Sequence, residues 1–163
     1  TDGNNYNLVH SNSTTGSGTL SDGVTVNIGP QGTSSQYQSH ALRITADNDI
    51  LGASYADSNG YCSAPFLPVT MMRKKFAINV SADYVAMASI AAGTIDMIEP
   101  DGTTTTLTLT RSGAEANAPY KVRVANVPEG TRFVSTTRFG AWYQPNTDVG
   151  AGDEDETILF GYE

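Results

Sequence analysis

The sequence predicts an all-β protein: an antiparallel β-sandwich, jelly-roll or Ig-like, preceded by an extended polar N-terminal arm. Three observations lead there. Apolar residues alternate with polar ones in short runs, as in Val24, Val26, Ile28 and again Phe76, Ile78, Val80; a period of two places them on one face of a strand. Clusters of Gly, Pro, Asp and Asn break these runs about every 8–12 residues, the cadence of a sandwich or barrel. No run has the charge and apolar spacing of an amphipathic helix.

The clearest element is a hairpin. Thr94 to Glu99 leads into Pro100, Asp101 and Gly102, and Thr103 to Thr110 leads out as T-T-T-T-L-T-L-T. Thr is β-branched and suits a pleated surface. Leu107 and Leu109 share one face, with Thr106, Thr108 and Thr110 on the other. Pro100 sets φ for the turn, and Asp101-Gly102 tolerates positive φ.

Residues 1–23 are rich in Gly, Ser, Thr and Asn and offer only Tyr6, Leu8 and Val9 for burial. They are expected to form an arm that carries one short strand or wraps a neighbour, with the sandwich spanning residues 24–163. Val24 to Ile28 reads as a strand and residues 31–39 as a polar loop. Leu42, Ile44 and Ala46 alternate, Asp47-Asn48-Asp49 turns, and residues 50–55 return to complete a second hairpin. Pro65 and Pro68 exclude residues 64–70 from a central strand, so they are expected along an edge or over the barrel end. Residues 84–92, Y-V-A-M-A-S-I-A-A, tolerate a helix. Val85, Met87 and Ser89 keep the two-residue period, so a strand buried on both faces is expected, with a short helix as the alternative.

Residues 111–119 form a polar turn, and Tyr120, Val122 and Val124 alternate against Lys121 and Arg123. Pro128-Glu129-Gly130 turns. Residues 131–136 and 139–143 read as two strands around Thr137-Arg138, and residues 157–162 as the last strand. About ten to twelve strands result.

Composition narrows the function. The 163 residues carry 17 acidic and 9 basic side chains, a net charge of −8. That balance opposes nucleic-acid binding, which needs clustered Lys and Arg. Low hydrophobic (39%) and charged (16%) content, with Gly, Ser, Thr and Asn in their place, suits extracellular, virion or appendage proteins. No run approaches the ~20 apolar residues of a membrane span. Cys62 is the only cysteine, so no intrachain disulfide can form. The chain shows no signal peptide and no initiator Met, so Thr1 is expected to begin a processed product or fragment.

Catalytic patterns are absent: G-x-S-x-G, H-E-x-x-H, Walker and C-x-x-C motifs do not occur. His10 and His40 are both expected in polar loops, and nothing places His40 near a nucleophile. A glycosidase would draw on Asp47, Asp49, Asp57, Asp83, Asp96, Glu99 or Asp101. Turn chemistry accounts for most of these, and Asp96 is expected to face solvent or a neighbour. A non-enzymatic role follows.

Candidate contact residues remain. Arg73-Lys74-Lys75 is the one basic cluster, and Asp153-Glu154-Asp155-Glu156 packs four carboxylates together. Such a run is solvated, meets a basic partner surface, or holds a cation. Of metal ions, calcium suits it best, through Asp153 and Asp155, because calcium takes six to eight hard oxygens from loops. Asp47-Asn48-Asp49 and Asp57-Ser58-Asn59-Gly60 are shorter alternatives; no other cofactor is expected. Glu154 and Glu156 are then free for a subunit contact opposite Arg73, Lys74 and Lys75. Trp142 and Tyr143 are expected in core or interface, or as a sugar platform. Asn12-Ser13-Thr14 and Asn79-Val80-Ser81 match glycosylation sequons, the second within a strand.

From Ile44 a longer cadence runs through the chain. I-T-A-D-N-D-I-L-G-A-S-Y leads to A-P-F-L-P-V, then I-D-M-I-E-P-D-G-T-T-T-T-L-T-L, then Y-K-V-R-V-A-N-V-P-E-G-T-R-F-V-S-T-T-R-F-G-A-W-Y. This resembles β-modules of surface proteins similar to the IgGFc-binding N-terminal region. Ending in an acidic stretch and D-E-T-I-L-F-G-Y, it also resembles structural proteins of marine tailed phages. The resemblance runs from Leu42 to Tyr162 and consists of turns and strands, so no residue's role is carried over. It implies an extracellular or virion structural protein. The expected function is non-enzymatic assembly, as a capsid decoration, fibre or tail-associated component. Its partners would be further copies of the chain or other virion proteins, with neither nucleic acid nor membrane. The alternative is an extracellular carbohydrate-binding or adhesin-type module, calcium-dependent through the acidic run.

Overall fold

The computed structural model describes residues 4–10, 15–20, 41–50, 53–55, 63–146 and 157–163. The protein is all-β and antiparallel, as expected, with twelve strands and one short 3-10 turn (Val69–Met71) among the described residues. It divides into two compact units, Thr1–Leu51 with Arg111–Pro119, and Gly52–Thr110 with Tyr120–Glu163.

The first unit holds a three-stranded sheet. Strand β1 (Asn4–His10) lies between β2 (Thr15–Leu20) and β3 (Leu42–Ala46). Two strands thus form before residue 23, where one was expected. Glycine explains the second: Tyr6 pairs with Gly18 and Leu8 with Gly16. A Cβ on Gly18 would meet the Tyr6 hydroxyl at 2.5 Å, and one on Gly16 would meet Leu8 at 3.1 Å. The bare glycines leave room for the two buried side chains. Among the described residues the expected hairpin of residues 42–46 with 50–55 is not found: β3 pairs with β1. Strand β4 (Ala53–Tyr55) pairs instead with β5 (Ser63–Pro65). β4 and β5 belong to the second unit; in the first, Arg111 Nη1 donates to the carbonyls of Glu115, Ala116 and Ala118, which fastens the 111–119 turn.

The second unit is a sandwich around one long strand. Strands β6 (Arg73–Ala77), β7 (Ala82–Ser89), β8 (Thr94–Ile98), β9 (Thr104–Thr108) and β10 (Tyr120–Val127) precede β11 (Arg132–Pro145) and β12 (Thr157–Ile158). The first half of β11 pairs with β6 on one side and β8 on the other; β9 extends that sheet. The second half pairs with β7 and β12, and β10 extends that one. One strand therefore serves both sheets, a device by which sandwiches turn corners. The two strands expected around Thr137-Arg138 are this single strand with a register shift between Val134 and Phe139. Side chains hold the shift in place. Ser89 Oγ donates to the Arg138 carbonyl (2.8 Å), and Ser135 Oγ donates to the Thr94 carbonyl (2.6 Å).

Both sheets feed one core. Phe76, Ile95 and Phe133 come from the first, and Val85, Met87 and Ala141 from the second, with Phe139 between. The Phe76 and Phe139 rings pack at 4.7 Å. Burying each such ring contributes about 1.5–3 kcal/mol. Strand β7 buries Val85, Met87 and Ser89 on one face, while Tyr84, Ala86 and Ala88 on the other stay half-buried. A strand was expected there with both faces covered; only one is. Ile78 is buried, but Val80 turns outward at 38% exposure, because the strand ends at Ala77.

The central hairpin forms as the sequence predicts. Ile98 faces Thr104, and Glu99 N–H donates to the Thr103 carbonyl. Gly102 takes φ +89°, the conformation its type permits at least cost.

Candidate functional site

Two surfaces of the second unit collect the residues of interest. The first is the seam where the chain's last residues close the sandwich. Beyond β12 the backbone alternates: Leu159 enters the core, Phe160 stands 81% exposed, Gly161 turns inward and Tyr162 outward. A Cβ on Gly161 would meet the Phe76 ring and Arg73 Cβ at 2.7 Å. Glycine there lets the backbone lie directly on β6. Lys75 and Tyr162 then exchange backbone hydrogen bonds, which joins the β12 side to the β6 edge.

Charges line this seam. Lys75 Nζ donates to the Glu163 carbonyl (3.1 Å) and lies 5.8 Å from the Tyr162 ring centroid. Arg138 and Glu163 form an ion pair at 2.7 Å, with both side chains more than half exposed. Such a pair contributes little to stability, but it orients two charges beside the exposed rings. Arg73 Nη1 is engaged with the carbonyls of Thr70 and Met72.

The expected contact residues fall as follows. Arg73, Lys74 and Lys75 are half-buried along β6. Trp142 and Tyr143 lie on β11 opposite Ile158 and Thr157. Trp142 is half-buried and its Nε1 donates to the Pro65 carbonyl (3.4 Å); Tyr143 packs against the core. Lys75 and the Trp142–Tyr143 pair thus flank the same closing segment. Asp153, Glu154, Asp155 and Glu156 lie outside the described residues, as do Cys62, His40 and Asp57. Arg138, Phe160 and Tyr162 were not among the residues expected here. The alternation in L-F-G-Y is the signal that marks Phe160 and Tyr162; Arg138 carries no comparable signal.

The second surface is the outer edge of β9. The pairs Glu99–Thr103 and Gly93–Leu109 carry hydrogen bonds towards β8. By the two-residue period, Thr104, Thr106, Thr108 and Thr110 direct their backbone groups the other way. Thr110 finds Lys121, exchanging bonds of 2.9 and 2.8 Å. Thr104, Thr106 and Thr108 have no such partner among the described residues, and all three are exposed. The Thr106 hydroxyl donates to Asp96 Oδ1 (2.8 Å) across the hairpin.

The remaining carboxylates are placed by local structure. Asp47 accepts from the Asn5 amide, and Asp83 is exposed on β7 rather than in a turn. Asp101 Oδ1 accepts the Thr103 N–H at 2.8 Å. That backbone bond, aided by the Thr103 hydroxyl, holds its carboxyl below the ordinary 3.8. Asn79 sits in an exposed bend after β6, not within the strand as expected.

Among the described residues, no group of three His, Cys, Asp or Glu side chains is arranged to hold a metal ion. Nor is any helix among them long and apolar enough to cross a membrane. No family model, curated protein or solved structure matches this chain.

Proposed function

We propose that this chain is a non-enzymatic structural protein that works by assembling, as a virion component such as a capsid decoration, fibre or tail-associated protein. The observation that carries the assembly role is the seam at residues 159–163. An aromatic ring 81% exposed and a second at 49% stand beside Lys75 and Arg138. Exposed aromatics beside Arg have the composition of interface centres. The virion context rests on the resemblance of residues 42–162 to phage structural proteins and on the Gly-, Ser- and Thr-rich strands.

The alternative, a calcium-dependent carbohydrate or adhesin module, rests on the acidic run Asp153–Glu156. Trp142 serves it poorly as a sugar platform, because the residue is half-buried.

Light scattering with and without calcium, paired with negative-stain microscopy, separates the two. A defined oligomer or lattice that is indifferent to calcium supports assembly. A monomer that gains stability with calcium supports the binding module.

A further inference from the structure

We propose that two copies of this chain join through their β9 edges, antiparallel about a two-fold axis near Thr106, making one continuous sheet. This rests on the assembly role above and adds a contact apart from the seam at residues 159–163.

An open strand edge is a template for another strand, and proteins that must stay apart protect such edges with charge, proline or irregular backbone. Two other edges of the second unit are protected. The β6 edge is taken by Tyr162. Strand β10 carries Lys121 and Arg123 and has Asn126 at φ 54°. Strand β9 reads T-T-T-L-T, with no charge and no proline. Its outward backbone groups belong to Thr104, Thr106 and Thr108, and their side chains are exposed.

The chemistry points to a second copy as the occupant. With 17 acidic and 9 basic side chains, two copies repel over most approaches. Neutral β9 can lie beside another β9 without that cost. Antiparallel pairing sets Thr against Thr, a favourable cross-strand combination. It also brings the hairpin turn of each copy, with exposed Asp101, towards the end of the other's β9, where Lys121 pairs with Thr110. With the axis at Thr106, Thr104 faces Thr108 and Thr106 faces its own copy, so the edge is self-complementary in register, as a two-fold contact must be.

The test compares the wild-type chain with Thr106→Pro and with the double variant Thr104→Lys/Thr108→Lys, by sedimentation across a dilution series. Proline at an outward-facing edge position removes a donor that the monomer does not use. The lysine pair keeps the backbone intact, leaves the Thr106–Asp96 bond in place, and covers the case in which the proline variant fails to fold. Thermal unfolding confirms that each variant is folded. Ser17→Lys, on the exposed side of the neutral strand β2, is the comparison. The expected result is a wild-type dimer or larger assembly, weakened about tenfold or more by the β9 variants and unchanged by Ser17→Lys. An assembly that survives both β9 variants, or that only Ser17→Lys disrupts, overturns this contact and leaves the assembly role standing. A wild-type monomer throughout the series overturns both.

Discussion

Lys75 and Tyr162 exchange both of their backbone hydrogen bonds, at 3.2 and 2.9 Å, so the last residues of the chain complete the sandwich. Gly161 makes this approach possible by resting on Phe76. Gly161→Ala forces its Cβ against the ring and the Arg73 stem. Overpacking of that kind costs about 1–3 kcal/mol. Urea unfolding should show a lower midpoint with an unchanged slope. Arg138→Ala, which removes only the exposed ion pair with Glu163, should change stability by less than about 1 kcal/mol.

Ser89 ties the end of β7 to the point where β11 changes sheets. Its buried hydroxyl donates to the Arg138 carbonyl and accepts the Ala91 N–H at 3.1 Å. Ser89→Ala leaves both groups without this partner. A loss of about 1–3 kcal/mol is expected, together with faster hydrogen exchange at Ala91.

Thr131 presents the opposite case. It is fully buried, and among the described residues its hydroxyl has no hydrogen-bond partner. Thr131→Val keeps the shape and removes the unsatisfied group, so it should stabilise the fold by about 1 kcal/mol or more. Thermal unfolding measures it; a destabilised variant would mean that the hydroxyl is satisfied in solution.

These residues also show what the sequence made legible. Pro100-Asp101-Gly102 announced its hairpin because local turn chemistry alone decides it. The period of Val85, Met87 and Ser89 announced β7 for the same reason. Long-range pairing left no comparable trace. Leu42–Ala46 has a plausible partner just downstream, yet pairs with Asn4–His10. Thr137-Arg138 resembles a turn between strands, but Ser89 and Ser135, remote in sequence, hold it as a shift within one strand. Glycines at positions 16 and 18 read as loop residues until Tyr6 and Leu8 are set across from them. Of the residues flanking the seam, Arg73, Lys74, Lys75, Trp142 and Tyr143 stood out by residue type. The β9 edge was not, because openness depends on which strands end up beside it.

Asp101 adds a pH dependence. The Thr103 N–H favours its carboxylate and lowers its folded-state pKa below 3.8. Its contribution to stability is fully present above the unfolded value, about 3.9, and is lost as pH falls through the lower folded value. A carboxyl-carbon NMR titration should place the Asp101 midpoint below 3.8. The stability difference between wild type and Asp101→Ala should shrink as the solution is acidified through that midpoint.

The most direct test of assembly through β9 is hydrogen exchange at the amides of Thr104, Thr106 and Thr108, followed at high and low protein concentration. These N–H groups point away from β8, so they exchange quickly in an isolated chain. Assembly through β9 predicts protection at high concentration that disappears on dilution, while Thr105 and Leu107, bonded within the hairpin, stay protected at both. Equally fast exchange at both concentrations, in a sample shown to be assembled, would contradict it.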